Sequence, residues 1–460
     1  MVNEIRQRKL KKYTTSEKTK IAKTFRDQLK EIYDPEKCIK SLQNIIKSLL
    51  ATQGYINLEI SKFISPYMIG EALLLLNRKS SHGLDGIDIY HRMKRGIRVC
   101  KAISKRIRKG KYAHAPYKII EFAKDLSDPS RTRKIGVFST TEKVVQSLLK
   151  AILEPIYEPL FLPNSFAYRP GKSPYKALEY LSERLKSRDY RYCIKIDIKK
   201  YFDSIDHEPL LRILEEKVKS PEILSYVEAF LKSSKLEKNQ FIENSRGTPQ
   251  GSVLGPLLSN IYLHEILDKP VTVEFPEIQF VRFADDIVFF STTKDEAFKL
   301  LRFVVGNLKK YNLGISDKIR KLLFDLDKDE IHFLGYTISK TDNGIKITPN
   351  EMRIIERCEK YLNIFYETIS KYKDHSVIDL REYKQEDIPV TVRNVNIFFQ
   401  IDRFKSAIQQ YRNQITDESN ILTNKLKDVL VELKQFLFSN ITNRRRIWDV
   451  IHYYENRMYK

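Results

Sequence analysis

The stretch QFVRFADDIVFFS, residues 279–291, sets two adjacent carboxylates between two runs of β-forming residues. Residues 279–284 and 287–290 are dominated by β-branched and aromatic side chains and read as strands. Neighbouring negative charges repel, and a half-buried sheet edge is a costly place for them unless a cation is at hand. A chain carrying Asp285 and Asp286 there must fold so that positive charge reaches that turn.

A second acidic site lies upstream in CIKIDIKKYFDSIDHEPLL, residues 193–211, where Asp197 ends a strand before the aromatic pair Tyr201-Phe202. Alone, a strand-end Asp reads as a cap or turn residue. Two acidic sites on neighbouring strands would bring three carboxylates together, enough to hold two divalent cations about 3.5–4 Å apart and so serve an in-line phosphoryl transfer. Between the two sites runs RGTPQGSVLGPLLSN, residues 246–260, whose glycines and proline around Gln250 let the backbone approach a ligand ahead of a helix.

Lys and Arg outnumber Asp and Glu by 82 to 59, a net charge of +23 on 460 residues. That excess favours a polyanionic partner, nucleic acid before membrane. ALLLL at 72–76 and IVFF at 287–290 fall far short of the roughly 20 residues that span a bilayer. The N-terminus has basic residues without an apolar core, so no secretion signal is expected. Cys38, Cys100, Cys193 and Cys358 form no Cys-x-x-Cys pair, which argues against zinc and disulfide frameworks and for a cytoplasmic setting.

Length allows roughly two to four subdomains of about 150 residues. Residues 1–64 read as a basic helical extension. YHRMKRGIRVCKAISKRIRK, 90–109, mixes apolar and cationic residues at helical spacing; by itself it reads as a solvated helix face. Residues 130–345 alternate helices and strands. LLRILEEKVKSPEILSYVEAFLKS is helical until Pro221, LGPLLSNIYLHEILDK is an amphipathic helix, and IHFLGYTISKTDNGIKITP reads as two strands around Asn343-Gly344. Beyond Asn350 three or more helical segments suggest a separate domain. The expected class is α+β, an antiparallel sheet backed by helices.

The ordered set IDIKKYFDSIDH, RGTPQGSVLGPLLSNIYL, FADD and IHFLGY resembles the palm of reverse transcriptases of the bacterial, group II intron-like lineage. Upstream, GLDGID, RKGKYAHAPYKII, RTRKIGVFSTTEKVVQSLL and NSFAYRPGKS resemble that lineage's fingers motifs, so the likeness covers roughly residues 65–345. It implies a right-hand polymerase fold: fingers with the start of the palm over 65–196, a palm with the catalytic carboxylates over 197–345, and a helical thumb and nucleic-acid-binding region over 350–460. It further implies that Asp197, Asp285 and Asp286, with the backbone of Ile198, hold two Mg²⁺ ions, Mn²⁺ being a substitute. By the same likeness Phe202 is an aromatic gate against the 2′-hydroxyl, Gln250 and Gly251 pack on the incoming deoxynucleotide, and Arg131 and Arg133 grip its triphosphate. Arg169 and Lys172 match template-backbone contacts, and Phe333, Gly335 and Tyr336 the primer grip. Lys318 matches, across a one-residue gap, a lysine that protonates the leaving pyrophosphate. Phe283 stands where the lineage usually has Tyr, and Lys134 replaces a proline, adding charge near the triphosphate.

Arg444, Arg445 and Arg446 are combined with Trp448, Tyr453 and Tyr454 at the C-terminus, a pattern suited to phosphate pairing and base stacking, and equally to a basic helix end. No His/Cys endonuclease cluster and no VTG signature are found, and QGS is kept. The remaining resemblance is to standalone bacterial enzymes, many of them antiphage defence systems templated by a structured non-coding RNA. Expected partners are that RNA, a DNA primer or product and deoxynucleotides, with a homo-oligomer compatible and no membrane. The alternatives are an intron-type reverse transcriptase and maturase without endonuclease, and a catalytically silent RNA-binding scaffold.

Overall fold

The computed structural model describes residues 13–349 except 79, 126–127, 238, 318–320 and 343. The expected helical domain from 350 onward lies outside the described residues, as do Arg444, Arg445, Arg446 and Lys318. The strands among the described residues are β1 (Tyr117–Asp125), β2 (Asp128–Val137), β3 (Tyr192–Asp197), β4 (Lys235–Glu237), β5 (Gln240–Ile242), β6 (Gln279–Phe283), β7 (Asp286–Ser291), β8 (Leu323–Asp325), β9 (Ile331–Phe333), β10 (Tyr336–Thr341) and β11 (Gly344–Pro349).

β6, β7, β3 and β8 form one sheet in that order, with every neighbouring pair antiparallel. Ile287, Val288, Phe289 and Phe290 of β7 are all buried, so both faces of this strand are covered and its apolar run is continuous rather than alternating. Phe280 and Phe289 face each other across β6 and β7 with rings stacked 5.2 Å apart. The helix Lys294–Lys310 packs on β3 and β7 through Ala297, Leu300, Val304 and Leu308. Thr293 caps its start, with acidic residues in the first turn and lysines in the last, as the helix dipole favours.

A second sheet has the order β2-β1-β4-β5, and a third β11-β10-β9. The third corrects the expected two strands to three. Leu334 and Gly335 both take positive φ, 52° and 87°, which makes a tight turn between β9 and β10 in addition to the one before Gly344.

The segment expected as one amphipathic helix is also corrected. It runs as Gly255–Leu263, a π turn His264–Asp268, and Lys269–Glu274. It is buried almost all round, because Thr140–Tyr157, His207–Lys217 and Lys294–Lys310 all pack against it. Pro221 does interrupt the preceding helix: it opens Pro221–Leu231, where its missing N–H costs nothing, behind the cap Ser220.

Residues 1–64 are not a detached extension where they are described. Thr15–Glu31 and Ile39–Gln53 bury Phe25, Leu29, Leu42 and Ile46 in the same core as Thr140–Tyr157. Gln43 donates to the Ala151 carbonyl at 3.1 Å.

Candidate active site

β6 and β7 are joined by a two-residue turn. Phe283 and Asp286 are the closing pair, Ala284 and Asp285 the turn itself. Ala284 has φ +60° and Asp285 does not take a positive value, the pattern of a type II′ turn, which glycine would enter more easily than alanine. On the other side of β7, Asp197 of β3 is the Cα partner of Asp286, and the Ile198 N–H donates to the Asp285 carbonyl at 3.2 Å. Directly opposed residues of an antiparallel pair point to the same face. The sequence therefore brings Asp197, Asp285 and Asp286 to one sheet end, each half-buried.

Among the described residues no three Asp, Glu, His or Cys side chains already stand in metal-holding geometry. What the fold supplies is backbone register and a donor set of oxygens alone, the chemistry that hard divalent cations select. The side chain of Ile198 is buried, so only its backbone carbonyl is a candidate donor.

The other side of the candidate site is built on Phe202. The loop 246–251 lies directly on its backbone: Thr248 N–H donates to the Phe202 carbonyl and Gly247 N–H to that of Ile205, both at 2.7 Å. A Cβ on Gly247 would stand 2.7 Å from the Asp203 Cα, and φ there is +84°, so only glycine fits. The Phe202 ring is met edge-on by two tyrosines, Tyr201 at 5.8 Å and Tyr168 at 5.9 Å between centroids. Gln250 links the elements: its Nε2 donates to Asp203 Oδ2 at 3.2 Å, its Oε1 accepts from Arg133 Nε at 3.4 Å, and its carbonyl accepts the Gly136 N–H at 2.7 Å. Gly251 closes against the Gly136 carbonyl, where a Cβ would stand at 2.5 Å. Tyr117, Lys134, Asp203, Arg246 and Gln250 line a solvent-open cleft of about 190 Å³ beside this loop.

Behind the turn lies a buried ion pair. Arg282 donates through Nε to Asp268 Oδ1 at 2.8 Å and through Nη2 to Oδ2 at 2.6 Å, with both side chains fully buried. Its Nη1 reaches Asn260 Oδ1 at 2.9 Å and, more weakly, the Ala284 carbonyl at 3.4 Å. Burial pushes the Asp268 carboxyl above its usual value, and the guanidinium beside it works in the opposite sense. Sequence reasoning missed this pair, Tyr168 and Asp203. Arg282 stands inside the quoted FVRFADD run, and an arginine in a strand of apolar residues was the available signal.

Other expectations fall elsewhere. Arg169 is corrected: its guanidinium turns inward to Glu158 Oε1 at 2.9 Å and to the carbonyls of Leu162 and Ser165 at 2.7 and 2.6 Å, closing its own loop instead of meeting a template. Lys172 lies over the Phe166 ring at 4.6 Å, and burial lowers its pKa. Lys134 does not leave free charge by the nucleotide; it is paired with Glu237 and with Glu121 at 3.5 Å. Phe333 and Tyr336 are buried, and Gly335 is half-buried in the turn between them. Arg131 lies in β2, and its side chain is outside the described residues.

The sequence model of the family described as reverse transcriptase (RNA-dependent DNA polymerase) matches residues 123–338, the stretch holding all three carboxylates, Phe202 and Gln250. This stretch is similar to the reverse transcriptase family. The chain is 37% identical over 169 residues to the group II intron-encoded protein LtrA of Lactococcus lactis subsp. cremoris, covering 37% of this chain and 27% of that one. It is 26% identical over 347 residues to the putative COX1/OXI3 intron 2 protein of Saccharomyces cerevisiae, 62% of this chain and 38% of the relative. Protein YkfC of Escherichia coli K12 is 25% identical over 236 residues, 49% and 61% respectively. The chain thus spans between about a quarter and three-fifths of these relatives' lengths. Two of these relatives are named as intron proteins, LtrA as group II intron-encoded.

Proposed function

We propose that the chain is an RNA-directed DNA polymerase. The observation that carries this reading is the register of β3 against β7, which sets Asp197 opposite Asp286 and beside the Asp285 turn, within the stretch similar to the reverse transcriptase family. In this reading the β6-β7-β3-β8 sheet belongs to the palm, the residues 65–196 are the fingers with the start of the palm, and 350–460 a helical thumb. Two Mg²⁺ ions, with Mn²⁺ a substitute, are held by Asp197, Asp285, Asp286 and the Ile198 carbonyl; bound there, they polarise the attacking hydroxyl and neutralise the triphosphate. Arg133, with Arg131, meets the triphosphate oxygens, for which guanidinium is well matched. Gln250 orients the incoming deoxynucleotide, and the Phe202 ring occupies the space a 2′-hydroxyl would need.

The charge distribution supports a nucleic-acid partner. Between Ile89 and Ile120 there is no acidic residue, and the helix Ile97–Arg108 exposes Arg98, Lys101, Lys105 and Arg108 while burying Cys100, Ile103 and Ile107. Such a face binds phosphates regardless of sequence. Among the described residues no helix is long and apolar enough to cross a membrane.

For the setting we propose a bound structured non-coding RNA as template, in bacterial antiphage defence. Likeness to proteins named as intron-encoded favours a second reading, an intron-type enzyme that also assists splicing. The test uses the purified chain with its co-purifying RNA, labelled dNTPs and Mg²⁺, beside Asp285→Ala. Wild type should incorporate label, and the variant should lose about a hundredfold to a thousandfold, as when a principal charge-stabilising group is removed. Equal incorporation by both, or none by either, overturns the polymerase in favour of a silent RNA-binding scaffold. Sequencing the bound nucleic acid separates the settings, since intron RNA would remove the defence reading.

A further inference from the structure

Tyr168 is a half-exposed aromatic, 49% accessible, in the left-handed backbone region at φ +62°. A bulky residue rarely occupies that region, and the conformation persists only where the surroundings enforce it. Here they do, on both sides. The Phe166 N–H donates to the Arg282 carbonyl at 3.0 Å, and Asn260 Nδ2 donates to the Ala167 carbonyl at 2.7 Å. Past Tyr168, the inward-turned Arg169 ties the chain back to Leu162 and Ser165. A strained residue that is half in water contributes little to the core, so burial does not account for the conformation.

What the conformation achieves is a ring contact. Tyr168 meets Phe202 nearly perpendicular, at 87°, with centroids 5.9 Å apart. On another side Phe202 meets Tyr201 at 67°, and Tyr201 is immobilised by burial and by a 2.6 Å hydrogen bond from its hydroxyl to the Ser259 carbonyl. Phe202 is therefore held by one ring from the core and one from the loop 164–169. Burial raises the Tyr168 hydroxyl above its ordinary pKa, and the charge of Asp285 adds to the rise, consistent with a ring between the gate and the carboxylates.

We infer that Tyr168 is a positioning residue for nucleotide selection: its edge-on contact fixes the Phe202 ring in the plane that excludes a 2′-hydroxyl. This rests on the polymerase reading above. An aromatic free to swing past a sugar discriminates poorly, and one clamped between two rings holds its place. The same buried Arg282 network that supports the catalytic turn anchors the loop bearing Tyr168, so the carboxylates and the clamp share one support.

The test is single-nucleotide incorporation from dNTP and from the matching rNTP, compared as kcat/KM, in wild type, Tyr168→Gly, Tyr168→Phe, Phe202→Ala and the double variant Tyr168→Gly/Phe202→Ala. Tyr168→Gly should raise relative ribonucleotide use by about threefold to tenfold, the range an edge-on ring pair can supply. Its thermal midpoint should hold or rise, because glycine takes this φ without strain. Tyr168→Phe should discriminate as wild type does, and the double variant no worse than Phe202→Ala alone, since the effect runs through Phe202. An unchanged ratio in Tyr168→Gly, a phenylalanine variant as lax as glycine, additive losses in the double variant, or a glycine variant that unfolds would each overturn the assignment while leaving the polymerase standing. A wild type that incorporates no nucleotide overturns the polymerase reading, and this one with it.

Discussion

Arg282 and Asp285 stand on the same hairpin, yet the carboxylates around them are balanced in opposite ways. Asp268 is inside, fully buried, and both its oxygens are taken up by Arg282. Asp197, Asp285 and Asp286 are gathered at the end of the same sheet, half-buried and open toward solvent. A carboxylate neutralised from within is a structural fixture, whereas carboxylates crowded at an accessible rim suit an ion supplied from outside. The first kind should answer to mutation through stability, the second through metal and activity.

The largest expected effect breaks the internal pair. Arg282→Met leaves Asp268 charged and unmatched in the core and should cost about 3–5 kcal/mol, measured by urea unfolding. Adding Asp268→Leu should recover most of that loss, because two apolar side chains carry no desolvation penalty. A single-variant cost below about 1 kcal/mol would show that Asp268 does not depend on Arg282, and the comparison would fail on its inner side.

Next comes the acid dependence of the same neighbourhood. His264 is buried, its Nδ1 lies 3.9 Å from Asp268 Oδ2, and burial lowers its pKa to about 4. Folding keeps the imidazole neutral where the unfolded chain, titrating near 6.5, binds a proton. The unfolded state then holds more protons, so stability is full above about pH 6.5 and declines as pH falls toward 4. The loss by pH 4 should be about 3 kcal/mol. The raised carboxyl of Asp268 acts in the opposite sense at the acid end, so His264→Phe isolates the imidazole. That variant should flatten the decline between pH 6.5 and 4; an unchanged profile would assign it to other groups.

The contrast also explains what the sequence disclosed. Asp285 and Asp286 were legible because a charged pair between two apolar strands is a local conflict visible in one dimension, and Asp197 because it ended a strand of the right type. Their union depended only on strand neighbourhood, which the motif order implied. The inner network was not legible. Arg282 among apolar strand residues was the one local hint; its partners Asp268 and Asn260 lie on the preceding helical segment, and nothing in residue type or spacing names them. The same blindness made Arg169 look like a template contact, although its loop folds the guanidinium back onto its own carbonyls. Direction of a long side chain is set by tertiary packing, which residue type and spacing do not encode. The helix expected over 254–269 forms, but its amphipathic reading failed similarly: its few polar residues, among them Asn260 and Asp268, suggested a wet face, and the core has absorbed them.

The smallest effect concerns the rim. Rim carboxylates in register repel one another without a cation, so Mg²⁺ should stabilise the folded chain by mass action. At about ten times its dissociation constant the gain is about 1.4 kcal/mol, read as a rise in thermal midpoint. Asp285→Asn/Asp286→Asn removes the charge and keeps the shape. That variant should be at least as stable as wild type without Mg²⁺, because the repulsion has gone, and should gain nothing when Mg²⁺ is added. Arg282→Met, though far less stable, should keep a Mg²⁺ response wherever its fold persists, since its rim is intact. An equal Mg²⁺ shift in wild type and in the double Asn variant would place the binding ion elsewhere. The rim would then resemble the inner site after all, its charge met by the protein itself.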